Sequence, residues 1–555
     1  MANKIKNLFY LTFSKKYLLG FWLLILSVLV FIDSKFTNLG FLQLHSIDEF
    51  VFQGSLLHMY QGLTTFKLSS LFGFGFYQYG FGYFLLNLLI TLPAFILKNY
   101  AWTIFLPRLV SSISAILVLV FLYKLSQRFV GNKESFFLVI LAILMPGFWI
   151  NATYFHPDWL MTLMLVISLF FTERDNWLYG KNYWWAVGFF ALTVSIKYQA
   201  LTFLPLLVIY IFYSELACLN FNKFLNNLVL LLKSLGLVIL IFLLSNPYLL
   251  HPLGWCAFKD SLFSNLASNA TNHGAVQTVS LIAKISNPLN FYYLTVIPLV
   301  VFFLAVLYYL FIFFKKRGQS FTGLVAWVFL INLFYLLFFV NKAWNQYYLP
   351  VFCFGLIIFI IFLSEIKNSQ WRYLAWIFLL VWQLFFSYKN IITAVSVSHD
   401  YFNPDFNDWT ESQIIVNANF IETTLINTKL KSGDQILLSP YTGFDFLKLG
   451  LDYGNIHTFF GCFGRETVER QAYVDSQRKY WGNLKTDEEI AKSFQPVNYL
   501  IIRKNLPFVD FERLVNIRDK EKCLITEEIF EEILNGGLGY SLVAVNQDLY
   551  IFKKP

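Results

Sequence analysis

Charge is what this sequence has least of. Asp, Glu, Lys and Arg make up 14% of its 555 residues, against 57% hydrophobic and 20% aromatic residues, a balance far outside that of soluble globular chains. A water-soluble globule is excluded for most of the chain, and lipid must cover it. Cysteine is scarce too: Cys218, Cys256, Cys353, Cys462 and Cys523 show no paired spacing, so neither a zinc site nor a disulfide framework is signalled. Cys462 and Cys523 could pair on an oxidising side; unpaired thiols are the simpler reading. There is no nucleotide-binding Gly-rich loop, no nucleophile elbow in the carboxyl-terminal part, and no internal repeat or low-complexity tract. The first apolar run, 17–32, follows Lys15 and Lys16 as a signal peptide's would, yet no small-residue cleavage site comes after it, so it reads as a retained anchor.

What is present is a series of apolar runs, each long enough to approach the roughly 30 Å of a hydrocarbon core. They fall at 17–32, 104–123, 135–150, 158–172, 182–195, 200–213, 226–244, 291–314, 321–340, 346–364 and 371–387. The formal charge of +9 does not point to nucleic acid, because the cations sit in short loops at span ends rather than in one patch. If 81–97 does not cross, then Lys4/Lys6/Lys15/Lys16, Lys124/Arg128/Lys133, Arg174/Lys181, Lys223, Lys315/Lys316/Arg317 and Lys367/Arg372 all share one side. By the positive-inside rule that side is the cytoplasm. The run 81–97 is therefore expected to lie in the outer interface, beside the aromatic and Gly-rich stretch Gly73 to Gly80.

The expected fold class is a polytopic α-helical membrane protein of about eleven spans, amino terminus inside and carboxyl terminus outside, with a C-terminal soluble α/β domain. Residues 1–387 form the membrane domain, with outer segments 33–103 and 245–290, and residues 388–555 the extracytoplasmic domain. Helices are expected at 420–431, 487–494 and 525–534, strands at 435–439 and 499–503, and a closing hairpin from 540–545 and 549–553.

Few carboxylates lie in the membrane region, so each outer one is informative: Asp33, Asp48, Glu49, Asp158 and Asp260. The sharpest feature is His45-Ser46-Ile47-Asp48-Glu49 in the first outer loop. Two acids at a helix start can simply serve the helix dipole; the functional reading is a general base held where an aqueous cavity meets lipid. The second is His156-Pro157-Asp158, where Asp158 could equally cap the following span. Arg108, Lys197 and Lys342 are cations on the side where positive charge is disfavoured. Each alone could snorkel to headgroups; as a set they could neutralise a phosphate. His251 is a weaker candidate, read as a loop histidine.

At these residues the chain resembles the lipid-dependent glycosyltransferases of the C-type (GT-C) superfamily, which includes protein O-mannosyltransferases and the aminoarabinose transferase of lipid A. The resemblance covers roughly 1–390 as an arrangement: an Asp-Glu pair after the first span, Pro107-Arg108-Leu109 in the next, an Asp in the second outer loop, Lys197-Tyr198 between short spans, and a terminal outer domain. It implies Asp48 as catalytic base, a polyprenyl-phosphate sugar donor and inversion at the sugar carbon. Glu49 could orient a substrate or a divalent cation, and His156 and Asp158 could complete the polar wall. The His-Pro-Pro segment of protein O-mannosyltransferases is absent, with Gln78-Tyr79-Gly80-Phe81 near its place, so the acceptor is left open among glycan, lipid and protein. The expected location is the plasma (inner) membrane, active face outward. The main rival is a transporter or flippase, which would place rare charges near the midplane of repeated halves; a purely structural or receptor-like membrane protein comes third.

Overall fold

The computed structural model describes residues 15–35, 37, 47–212, 221–271, 279–315, 320–396, 411–438, 442–451, 455–458, 497–504, 527–536 and 539–555. Among these, six helices are long and apolar enough to cross a membrane: Tyr100–Ser126, Phe224–Ser245, Val296–Lys315, Phe321–Phe338, Asn345–Ser364 and Ser369–Ala394. Length and composition do not confirm the expected count of about eleven, giving up to seven if one bent helix pair is a single span. The run 135–150 is two helices, Asn132–Ile143 and Pro146–Ala152, bent by 70°, because Pro146 forces Met145 before it into extended backbone. Four other runs are helical but too short or too charged. Lys181–Ile196 has 16 residues, Pro205–Phe212 has 8, the apolar part of helix Lys15–Asp33, Leu18–Asp33, is likewise short, and Asp158–Asp175 ends in Glu-Arg-Asp.

Packing ranks these helices. Asn345–Ser364 is central, 83% of its apolar window being buried, whereas Phe224–Ser245 is peripheral at 11% and turns Leu232, Ile239, Leu240 and Leu244 outward. Those side chains need lipid around them. Four of the cation-bearing loops meet at one end of the bundle. Arg128 pairs with Glu173 at 3.1 Å, Arg372 with Glu134 at 3.2 Å, and Phe129 stacks on Phe321.

At the other end, helix Ile47–Thr64 runs beside helix Phe81–Ile96, with Phe52 against Phe84 and Tyr60 stacked on Phe95. Phe81–Ile96 starts where the Gly80 N–H donates to the Ile196 carbonyl and ends three residues before helix Tyr100–Ser126 begins. Its 16 residues span about 24 Å, less than the hydrocarbon core needs.

The carboxyl-terminal part carries a five-stranded sheet in the order β2-β1-β3-β5-β4. These are β1 Ile436–Leu438, β2 Ile456–Thr458, β3 Tyr499–Arg503, β4 Ser541–Val545 and β5 Leu549–Lys553. β2, β1 and β3 run parallel, and β5 joins antiparallel. The apolar run Ile436-Leu437-Leu438 is buried throughout, as a parallel strand covered on both faces should be. Asn546 closes the β4–β5 turn by accepting from the Asp548 and Leu549 N–H groups. Helix Glu411–Asn427 begins earlier than expected and helix Glu527–Leu534 falls within the expected range; β2 was not anticipated, and 487–494 lies outside the described residues. The last membrane helix, Ser369–Ser396, continues past residue 387. This domain meets the membrane helices where Phe446, fully buried, packs edge-on against Phe50, close to Asp48.

Candidate active site

Asp48 and Glu49 lie in the first turn of helix Ile47–Thr64, and successive helical residues point about 100° apart. That divergence gives the two carboxylates opposite fates. Asp48 keeps 45% of its side chain exposed, while Glu49 has no exposed surface. The Arg108 guanidinium holds Glu49 with Nε to Oε1 at 2.8 Å and Nη2 to Oε2 at 2.7 Å, and the Phe155 N–H adds a third bond to Oε1. Arg108 Nη1 also donates to the carbonyls of Lys35 and Asp33, closing the end of helix Lys15–Asp33.

Arg108 therefore ties three chain segments together from inside the protein. The expected contact with a phosphate is not open to it, because it has no exposed surface and both edges of its guanidinium are engaged. Glu49, expected to orient a substrate or cation, is committed in the same way. Among the described residues no group of three or more His, Cys, Asp and Glu side chains could hold a metal ion.

His156 and Asp158 face this helix from the start of Asp158–Asp175. The Asp158 side chain does not cap that helix. Its Oδ1 accepts from Lys197 Nζ at 2.7 Å, and its Oδ2 abuts His156 Nδ1. The other ring nitrogen, Nε2, is 4.0 Å from Asp48 Oδ2. The imidazole is fixed by rings on three sides: Tyr154 stacked, Tyr79 edge-on and Phe52 tilted. A polar row thus runs Asp48, His156, Asp158, Lys197, with 4.0 Å between its first two members, and its last three members are buried.

Lys197 reaches the row because its backbone is extended at the end of helix Lys181–Ile196 and forms an antiparallel bridge with Tyr79. The Tyr198 N–H donates to the Gln78 carbonyl. Gly80 allows this approach: a Cβ there would sit 1.5 Å from the Ser195 carbonyl oxygen, and the backbone on both sides is held. The Lys197 ammonium lies between the Tyr79 and Tyr347 rings, 5.5 and 5.2 Å from their centroids. Gly80→Ala is expected to separate the two segments, lowering stability by about 1–3 kcal/mol, which thermal unfolding of the purified variant checks.

Lys342 lies between two spans, 3% exposed, with Nζ 4.3 Å over the Trp344 ring. Burial pushes its ammonium down to about 7; nearby Asp48 raises it and Lys197 lowers it further. The preceding residue anchors this segment: the Asn341 N–H donates to the Asn269 carbonyl and its Oδ1 accepts from the Val279 N–H. Next to Lys197 opens a cavity of about 300 Å³ between Tyr79, Tyr347 and helix Pro252–Thr271.

Of the sequence candidates, Asp48, His156, Asp158, Lys197 and Lys342 converge, with Glu49 and Arg108 directly behind them. His251 is apart and exposed, accepting the Leu253 N–H as a turn residue does. His45 and Ser46 lie outside the described residues. Sequence reasoning missed Tyr79 and Tyr347, whose rings flank Lys197, and the amide side chains of the cavity. The only signal for Tyr79 was its place before Gly80.

No family model matches the chain, and no curated protein matches it. Solved structures do. The crystal structure of ArnT from Cupriavidus metallidurans bound to undecaprenyl phosphate aligns with a TM-score of 0.56 at 10% identity, covering 97% of this chain and 98% of that one. The same protein in the apo state gives 0.54 at 10% identity, over 96% and 97%. The archaeal oligosaccharyltransferase AglB from Archaeoglobus fulgidus, in complex with an inhibitory peptide and a dolichol-phosphate, gives 0.50 at 11% identity, over 90% of this chain and 71% of that one. The chain shares its overall fold with these structures.

Proposed function

We propose that this chain is an inverting glycosyltransferase that moves a sugar from a polyprenyl-phosphate donor to an acceptor hydroxyl at the outer membrane surface. One observation carries the reading: a half-exposed carboxylate, Asp48, stands at the head of a buried row that ends in Lys197, with Lys342 alongside. That pairing is what displacement of a lipid phosphate needs, a base for the incoming hydroxyl and cations for the departing anion. The fold it shares with proteins crystallised with undecaprenyl phosphate and dolichol-phosphate supports the donor class. The candidate charges sit at helix starts and span ends rather than near a midplane, which speaks against a transporter.

In this reading Asp48 takes the hydroxyl proton as the new glycosidic bond forms and the bond from sugar to phosphate breaks, the electron pair leaving on the lipid phosphate. A single displacement inverts the sugar carbon and needs no covalent intermediate. Asp158 and the surrounding rings orient His156 toward Asp48. Lys197 and Lys342 receive the phosphate, and the Glu49–Arg108 pair holds the base helix in place. The outer side is the one bearing Asp48, and the amino terminus faces the cytoplasm, which fits the meeting of the cation-rich loops at the opposite end. Incubating the purified protein with a panel of polyprenyl-phosphate sugars and an acceptor-containing membrane extract tests the reaction; absence of both binding and turnover across the panel would refute it.

Lys342 gives this reading a pH signature. Its ammonium is half-charged near pH 7 in the empty protein, and a bound phosphate favours the charged form and raises that value. Donor binding above pH 7 should therefore take up a proton, and affinity should fall as pH rises from about 7 to 9. For the empty protein the sign is opposite. The folded value lies below the unfolded one of 10.5, so folding releases a proton between the two and stability rises with pH across that window. Calorimetry in buffers of different ionisation enthalpy measures the uptake, which Lys342→Met should abolish while weakening donor binding by about 1.5–3 kcal/mol.

A further inference from the structure

The cavity beside Lys197 has a lining whose hydrogen-bonding capacity is partly unused. Gln199 Nε2 donates to the Tyr347 carbonyl. That bond fixes the amide's orientation, since the flipped form would set two oxygens against each other. Its Oε1 is then buried at the cavity wall and accepts from no described residue. A buried amide oxygen without a donor is unfavourable, so the group that belongs there must carry a proton. Across the cavity the Asn265 side chain accepts from Asn269 and that of Gln78 accepts from Ser261, while the side-chain N–H groups of Asn265 and Gln78 donate to no described residue. The wall therefore offers an acceptor and several donors, which is the complement of hydroxyl groups.

Other occupants fit less well. A phosphate or carboxylate only accepts and would face Gln199 Oε1 oxygen to oxygen. An isoprene unit neither donates nor accepts. An ammonium would need a carboxylate, and none lines the cavity, whose one charged side chain is the cation Lys197. Size adds a limit, because about 300 Å³ is at the small end of ligand pockets.

We infer that this cavity is the donor-sugar pocket and that it takes a single, uncharged, hydroxyl-rich sugar rather than an amino sugar, an anionic sugar or an oligosaccharide. The inference rests on the proposed transfer from a polyprenyl phosphate and specifies its substrate. Gln199 accepts a sugar hydroxyl, Asn265 and Gln78 donate to its neighbours, and the anomeric carbon faces out past Tyr79 and Tyr347 toward Asp48.

The test uses the full-length protein in lipid nanodiscs with four synthetic polyprenyl-phosphate donors: a neutral hexose, an amino hexose, a hexuronic acid and a linear tetrasaccharide. The neutral hexose should give a kcat/KM at least about tenfold above the other three. A series of monodeoxy hexose donors then probes Gln199. In the wild-type protein one deoxy position should lose about tenfold or more, and in Gln199→Leu that same position should make no difference while the others still do. A merely structural role for Gln199 would lower all donors together and leave the pattern intact, which would overturn its assignment; should the variant fold poorly, the wild-type deoxy pattern still decides, since equal rates for every deoxy donor refute the pocket. Turnover of only the amino, anionic or tetrasaccharide donor would overturn this inference and leave the glycosyltransferase reading standing. Neither binding nor turnover of any donor would sink both.

Discussion

Asp48→Asn is expected to leave expression, folding and donor binding unchanged and to reduce sugar transfer by at least about a hundredfold. The amide keeps the shape of the carboxylate at the same half-exposed position, but it cannot accept the proton of the incoming hydroxyl. A base at hydrogen-bond distance contributes about 10²–10⁴-fold in rate, and the geometry offers no obvious substitute. Glu49 is one residue away yet its two oxygens are bonded to Arg108 and the Phe155 N–H. Asp158 is bonded to Lys197 and His156. The control is Asp158→Asn, which should lower turnover by loosening both Lys197 and His156 and should also weaken donor binding, unlike Asp48→Asn. Radiolabelled sugar transfer alongside a donor-binding isotherm separates the two. Wild-type turnover in Asp48→Asn together with its loss in Asp158→Asn would move the base to the second outer loop.

The candidate residues were largely legible because they break local rules. An acid pair beside a lipid-facing run, and lysines on the side where positive charge is disfavoured, stand out without any structure. The partners were not legible. Nothing local says that Glu49 will meet Arg108, 59 residues on, or that Tyr79 will pair with Lys197 across an antiparallel bridge. Such contacts depend on how helices cross. Among the fold elements, β3 and the β4–β5 hairpin were readable from apolar alternation and a turn, whereas β2 is only three residues long and carries no period. The count of about eleven spans is unconfirmed for a related reason. Apolar runs such as 182–195 register as spans by composition, but the helices they form are shorter than a bilayer is thick, and Pro146 turns one of them by 70°.

Removing one partner of the Glu49–Arg108 pair should have the largest effect on stability, and the pair decides whether Arg108 has any part in donor binding. Neither side chain has exposed surface, so Arg108→Met leaves Glu49 as a buried carboxylate without its counter-ion, and Glu49→Leu leaves a buried guanidinium. Either change should destabilise by about 3–5 kcal/mol, while the double variant, which buries no unpaired charge, should recover most of the loss. Unfolding of the three variants in mixed micelles by denaturant measures this cycle. The double variant then becomes the informative protein, because it folds without Arg108. If the guanidinium only braces the base helix, the double variant should bind the polyprenyl-phosphate donor as the wild type does, since Lys197 and Lys342 are untouched. Should it fold normally and yet lose donor affinity tenfold or more, Arg108 would have to reach the phosphate after all, and the first helix turn around Glu49 would have to open when the donor binds.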